Sequence, residues 1–192
     1  MDYRKYKWFY TRSGKLVVGG KSAEQNDSLL RELKKTKKEY IVMHTKTPGS
    51  PFCAIIAPIS AVSKKDIEEC AIFTGCFSRA WKEKQKITEV HEFKISQLKK
   101  EGSLKTGTWQ VSGKIINHRV SLELALTKQE GFLRAVPLQS AITNEVIVYI
   151  RPGNVDKVEA IAKNKIAALK ELNKEQLIAA LPAGGVLFTK NE

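Results

Sequence analysis

The sequence predicts an α+β fold: a single domain with a mostly antiparallel mixed sheet, one long helix and C-terminal helices. Three observations lead there. Strand-like and helix-like segments interleave without the strict βαβ alternation that builds a parallel sheet. Neighbouring strand-like segments are joined by short turn sequences, the connection that antiparallel pairing permits. The 192 residues, 42% of them hydrophobic, suffice for a sizeable core, and no internal repeat, low-complexity tract or long linker divides them.

Each element follows from local chemistry. Lys7–Thr11 and Lys15–Gly19 read as strands joined at Ser13-Gly14, a hairpin signature, and Gly19-Gly20 ends the second. Ser22 is placed to cap a helix running to about Lys35, with Gln25 positioned to reach back as in a capping box. Tyr40–His44 is a short strand. Thr47-Pro48-Gly49-Ser50-Pro51 is a loop, because two prolines flank a Gly-Ser pair. Phe52–Ala57 is an apolar run of strand length. Ser63 caps the longest helix, about Lys64–Lys84, whose apolar face carries Ile67, Cys70, Ala71, Thr74, Phe77 and Trp81. Thr88–Phe93 is strand-like, and Gly102–Gly107 is a turn region. Trp109–Ile116 and Arg119–Leu126 read as a pair around Asn117-His118, followed by strands Phe132–Val136 and Glu145–Arg151. Arg151-Pro152-Gly153 breaks the chain, and Asn154 caps a helix to about Leu172. Asn173 with Gln176 opens a last short helix that Pro182 and Gly184-Gly185 stop.

Charge supplies the first functional expectation. The net charge is +13, and residues 1–100 carry 21 Lys/Arg against 11 Asp/Glu. A basic surface attracts polyanions, nucleic acid first and anionic membrane second. No apolar stretch reaches the roughly 18–20 residues of a membrane helix, and no basic amphipathic helix stands out, so a membrane partner is not expected. The three cysteines (Cys53, Cys70, Cys76) make no disulfide framework and no CxxC pair. Together with the charged N-terminus, they predict a cytoplasmic protein.

Local motifs for catalysis or metal binding are absent. The histidines (His44, His91, His118) lack metal-ligand spacing, so no cofactor or metal is expected. Gly19-Gly20-Lys21 lacks the Walker spacing, and no GxSxG nucleophile signature occurs. Two segments offer polyanion chemistry instead. The loop from His44 to Pro51 presents Lys46, Ser50 and the exposed backbone around Gly49, although a rigid turn between core strands needs the same residues. Ser78–Lys84 presents Arg79, Lys82 and Lys84, which suit phosphate or simply a solvated helix end. Trp81 either stacks on a base or packs in the core, and periodicity favours the core. In the first strand Trp8 and Tyr10 share one face and Phe9 takes the other.

At these residues the chain resembles a family. Trp8-Phe9-Tyr10-Thr11-Arg12-Ser13-Gly14-Lys15-Leu16-Val17-Val18-Gly19-Gly20-Lys21, followed by Gln25-Asn26-Asp27, is similar to the opening motif of the NFACT RNA-binding domain (NFACT-R). The strand ending Val42-Met43-His44, the loop Pro48-Gly49-Ser50-Pro51, the element Phe77-Ser78-Arg79-Ala80-Trp81 and the turn Thr106-Gly107-Thr108 follow in the family's order. The resemblance spans roughly residues 3–115. The expected organisation is therefore an NFACT-R-like core over 1–115, continued in the same domain by strands and helices over 116–192. It implies a standalone RNA-binding module of the archaeal type. It does not imply the C-terminal tailing of stalled chains, which in large family members depends on a further N-terminal domain. The chain departs from the family where acidic and imidazole groups are usual: Thr45-Lys46 and Pro48 occupy the loop, and Ser22 follows Lys21. The loop is thereby more basic, which favours polyanion binding over acid–base chemistry.

The functional expectation is a protein that binds structured RNA, tRNA or rRNA, mainly through phosphates, with the ribosome as a further partner. Lys21, Lys46, Arg79, Lys82 and Lys84 would neutralise backbone charge. Gln25, Asn26, His44 and Ser50 would give neutral hydrogen bonds to backbone or 2′-OH. Two rivals belong to other classes. An RNA-processing or RNA-modifying enzyme would assemble from His44, Arg79 and a carboxylate such as Asp27 or Glu83. A protein-interaction adaptor would dock through the apolar stretch Ala183–Phe188.

Overall fold

Trp8 and Phe9 are buried on a four-residue strand, β1 (Lys7–Tyr10), just after the buried Tyr6, and the chain turns back into β2 (Leu16–Gly19) in antiparallel register. The computed structural model describes residues 1–142 and 145–190. Helix α1 (Ala23–Lys35) begins where expected, with Ser22 accepting from the Gln25 N–H. Gln25 does not close the box on Ser22. Its carboxamide oxygen accepts from the Lys21 N–H one residue earlier (3.0 Å). Leu29, Leu30 and Leu33 bury the inner face of this helix.

Strands β3 (Ile41–Thr45) and β4 (Cys53–Ile55) flank the Gly/Pro loop. That loop is pinned from inside: the Ser50 hydroxyl accepts from Thr45 N–H (2.9 Å), and the Thr45 hydroxyl donates to the Thr47 carbonyl (2.6 Å). Helix α2 (Lys64–Cys76) opens with a full capping box between Ser63 and Asp66. Instead of running to Lys84, the helix stops at Phe77. The Ser78 hydroxyl donates to the Gly75 carbonyl and accepts from the Ala80 N–H, which caps a separate short turn, α3 (Arg79–Lys82). A serine that can bond its own backbone competes with helix propagation. Periodicity does not register this, because the apolar spacing survives the break.

Strand β5 (Ile87–Lys94) pairs with β3 on one side and β8 (Ile116–Ser121) on the other. Asn117 and His118 are therefore inside a strand and not at a turn. The expected 109–116 partner is divided, and β7 (Gln110–Val111) pairs with β6 (Leu98–Lys99) in a separate ribbon. The actual hairpin joins β9 (Leu124–Gln129) to β10 (Phe132–Val136) through Glu130-Gly131. Both turn residues have positive φ (50° and 78°), as a two-residue turn of type I′ demands. The chain then runs as β11 (Val148–Asp156) straight through Pro152-Gly153. The helix cap is Asp156, not Asn154, and the following segment is broken into α4 (Lys157–Lys163) and α5 (Ala167–Lys170). Asn173 caps α6 (Lys174–Ala180) as expected. The stretch Ala183–Phe188, the docking segment of the adaptor alternative, mostly enters β12 (Gly185–Lys190), an edge strand whose antiparallel pairing holds β11 extended.

The fold is α+β, and every described strand pair is antiparallel. The six-stranded sheet has order β1-β2-β4-β3-β5-β8, and a second sheet has order β10-β9-β11-β12. One core fills the α2 side of the first sheet and continues into the second sheet, from Phe9 and Phe73 to Leu126 and Val186. The other core lies under α1 and holds Tyr6, Val42, Phe52, Phe93 and Trp109. No helix among the described residues is long and apolar enough to cross a membrane. The three cysteines are free and buried, and burial pushes the Cys53 thiol up to about 12, so it is a packing group at neutral pH.

Asp66 ties β1 to α2. Its buried carboxylate accepts from the Thr11, Ser13 and Ser63 hydroxyls and the Ser63 N–H. Burial pushes its pKa up, but these donors outweigh that and bring it to about 2. The native state therefore holds fewer protons here than the unfolded chain, and the stabilisation is present above the ordinary carboxylate range and lost as pH falls through 2. Asp66→Asn is expected to cost about 2 kcal/mol at pH 7 and much less at pH 2. Urea unfolding at the two pH values checks this; an equal loss at both would show that charge is not the cause.

Candidate nucleic-acid interface

Three segments enclose a groove of about 610 Å³ on the α1 side of the six-stranded sheet. The N-terminus of α1 supplies Lys21, Ser22 and Asn26. The β3–β4 loop supplies Lys46 and Pro48 to Phe52. The segment Thr106–Trp109 forms the opposite wall. Alternation along β3 and β5 places His44, His91 and Phe93 on the face below, with His44 directly opposite His91. Lys7 and Phe77 close one end.

The loop wall is held by α3. The Arg79 N–H donates to the Gly49 carbonyl (2.8 Å), and the Arg79 side chain lies against Gly49. Gly49 has φ +113°, and a Cβ there would meet Arg79 Cβ at 3.1 Å and Nε at 3.2 Å. Only glycine meets both demands without strain. The far wall is held by Asp27. Its Oδ1 accepts from Trp109 Nε1 (2.8 Å) and Gly107 N (3.1 Å), and its Oδ2 lies 3.1 Å from Lys100 Nζ. Lys100 also donates to the Lys105 and Thr108 carbonyls. Burial raises the Asp27 pKa, but the bonds from Trp109, Lys100 and Gly107 more than offset it and leave it below the ordinary value. Asp27 is thus a structural anion committed to three donors.

His44 is a neutral group. Burial holds its pKa below the ordinary imidazole value, partly opposed by the Thr45 carbonyl. Its Nδ1 lies 2.7 Å from that carbonyl, which can only accept. Nδ1 therefore carries the proton, and Nε2 is left as an acceptor. The ring also stacks on Phe52, with centroids 4.5 Å apart. Among the described residues no carboxylate lines the groove, while Lys7, Lys21 and Lys46 all contribute. Lys46 is partly matched by Glu89, which stands outside the lining at 2.7 Å.

The structure thus brings Lys21, Asn26, His44, Lys46 and Ser50 to one groove. Asn26 is buried, and its Oδ1 accepts from Phe52 N–H (3.0 Å), so it braces the wall. Gln25 binds Lys21 N–H and reaches the Lys5 carbonyl (3.4 Å). Arg79 supports the loop from behind. Lys82 and Lys84 do not line the groove, and Lys82 packs against Gly184. Trp81 is fully buried, and its indole N–H donates to the Gly185 carbonyl (3.0 Å), so it is a core residue. Sequence reasoning missed Lys7, Phe52, His91, Phe93 and Trp109. The period-2 spacing of His91 and Phe93 places them on one face, but nothing local says that this face meets the loop.

Comparison with known proteins agrees with the opening motif. The chain is 29% identical over 98% of its length to "Archaeal Rqc2 homolog aRqcH" of Methanocaldococcus jannaschii, of which it covers 29%. It is 25% identical over 58% of its length to "Ribosome quality control complex subunit NEMF" of Homo sapiens, of which it covers 11%. The chain therefore spans less than a third of these relatives. A solved structure, the C-terminal part of the fibronectin/fibrinogen-binding protein from Streptococcus suis, shares the fold over 60% of this chain and 45% of that one. Its TM-score is 0.53 at 22% identity. Residues 5–113 match the family described as the NFACT protein RNA binding domain, and the chain belongs to that family.

Proposed function

We propose that this protein binds structured RNA, tRNA or rRNA, along the groove and mainly through backbone phosphates. The observation that carries the reading is the lining itself, with Lys7, Lys21 and Lys46 among aromatic rings and no carboxylate among the described residues. A positive trough gathers a polyanion, and rings such as Phe52, Phe93 and Trp109 offer faces and edges to unpaired bases. Lys21 and Lys46 neutralise phosphates inside the groove, and Arg79, Lys82 and Lys84 extend the contact along the neighbouring surface. His44 Nε2 accepts from a 2′-OH or a base N–H, the Ser50 hydroxyl and the Asn26 amide N–H add neutral contacts, and Gln25 acts from outside the groove by holding the Lys21 backbone. The names of the relatives support a role at the ribosome in quality control, and a cytoplasmic location goes with that reading.

Binding to about 5 phosphates predicts that log K falls with log salt at a slope of roughly −3.5 to −4.5. Filter binding of labelled tRNA and rRNA fragments from 50 to 200 mM salt measures it, and a flat response rules out the mode. Lys21→Glu with Arg79→Glu should weaken every RNA by about 100-fold, since each reversal removes one phosphate contact and adds a repulsion. Unchanged affinity in a correctly folded double variant would move the interface elsewhere.

A further inference from the structure

A second, smaller pocket of about 90 Å³ lies beside the groove and shares Lys7, Lys21 and Phe77 with it. Its wall holds uncancelled positive charge. Lys7, Lys21 and Arg134 line it, and among the described residues no carboxylate does. Among the described residues these three form no ion pair. Burial first, then Lys157, Lys21 and Arg134, bring Lys7 down to about 8. Burial and then Arg134 lower Lys21, and burial lowers Arg134. The nearby cations are accounted for. Arg4, also on the wall, is matched by Glu130 at 3.1 Å. Lys157 donates to the Ile178 and Leu181 carbonyls.

Two donors of the same lining lack an acceptor among the described residues. The Trp8 indole N–H and the Arg134 Nε–H are buried and make no hydrogen bond with any described residue, and both residues line this pocket. Trp8 is 1% exposed, and the Arg134 guanidinium lies 4.0 Å over its ring. Arg134 Nη1 is occupied by the Leu133 carbonyl. Orphaned buried donors and partly dehydrated like charges are both costly, and folded proteins rarely keep them together without use. A single anion relieves both. An indole N–H and a guanidinium Nε–H, with two flanking ammonium groups, suit the several oxygens of phosphate.

We infer that this pocket is a phosphate site: Trp8 and Arg134 donate N–H bonds to one oxyanion, and Lys7 and Lys21 neutralise it. Its source rests on the RNA-binding reading, because Lys7 and Lys21 border both cavities and a strand in the groove brings a phosphate to them. A free phosphate compound carries the same group, and the experiment separates the two.

The test follows the Trp8 indole N–H and Arg134 Nε–H signals by two-dimensional NMR of the whole protein. Inorganic phosphate is added first, then an RNA oligonucleotide. Phosphate is expected to shift both signals saturably, with chloride at equal ionic strength without effect. Arg134→Gln should weaken phosphate binding at least about tenfold. Lys7→Met, which keeps an aliphatic stem beside Phe77, provides a second variant if Arg134→Gln melts early. RNA is expected to reproduce the two shifts and to be displaced from them by phosphate. If phosphate shifts neither signal, or shifts the Trp8 signal in both folded variants as much and at the same concentration as in the parent, the site is overturned. If phosphate shifts them but RNA binds without doing so, the RNA source is overturned and a free phosphate compound takes its place. RNA that fails to bind at all, with the phosphate shifts intact, would sink the groove reading alone.

Discussion

Trp81→Ala is expected to destabilise the protein by about 4 kcal/mol, the largest effect of any single change considered. The indole is fully buried in the core that joins the two sheets, and truncation leaves a cavity that rigid neighbours on α2 and β12 fill poorly. It also strands the Gly185 carbonyl, which accepts the indole N–H where β12 begins. Trp81→Phe separates the parts: most apolar volume stays, the hydrogen bond goes, and the loss should be about 1–2 kcal/mol. Urea unfolding of the three proteins measures both. RNA affinity of the folded Trp81→Phe variant should equal that of the parent. A large affinity loss at unchanged stability would mean that the ring meets RNA and not the core.

The second large effect is at Asp27. Asp27→Ala removes the acceptor shared by Trp109, Gly107 and Lys100, and leaves the Lys100 ammonium largely buried without its anion. Breaking a largely buried pair from one side costs about 3 kcal/mol. The consequence for function is greater than the energy suggests, since the Thr106–Trp109 wall is anchored to α1 through this carboxylate. RNA affinity should fall about tenfold even under conditions where the variant is folded, because the strand must then order the wall as it binds. Asp27→Ala combined with Lys100→Met removes the stranded charge and should recover part of the stability without recovering affinity. If the double variant regains RNA affinity, the wall is not part of the interface.

How much of this was written in the local sequence can be judged element by element. Ser22, Ser63 and Asn173 announced helix starts, because a cap is a contact between residues two or three apart. The end of α2 was invisible for the opposite reason. Helical spacing of apolar residues continues through Phe77 and Trp81, and the break depends on one hydroxyl at Ser78 choosing the Gly75 carbonyl and on Arg79 bonding the Gly49 loop. Pro152-Gly153 read as a stop because both residues disfavour regular structure locally. It became strand because β12, contributed by the far end of the chain, pairs across it.

The interface divides in the same way. Lys21, His44, Lys46 and Ser50 were found because motif spacing and excess charge are properties of neighbouring residues. Lys7, His91, Phe93 and Trp109 reach the same groove from separate strands and a distant loop, and only the pairing of β3 with β5 and the Asp27–Trp109 bond bring them there. The clustering of Lys7, Lys21 and Arg134 around two unbonded donors is likewise a product of two sheets meeting. Composition and short-range pattern thus established an α+β chain with a basic first half and the marks of its family. Where the positive charge gathers, and which aromatic rings are buried or offered, depended on long-range packing, because charge density and burial are properties of surfaces and not of chain segments.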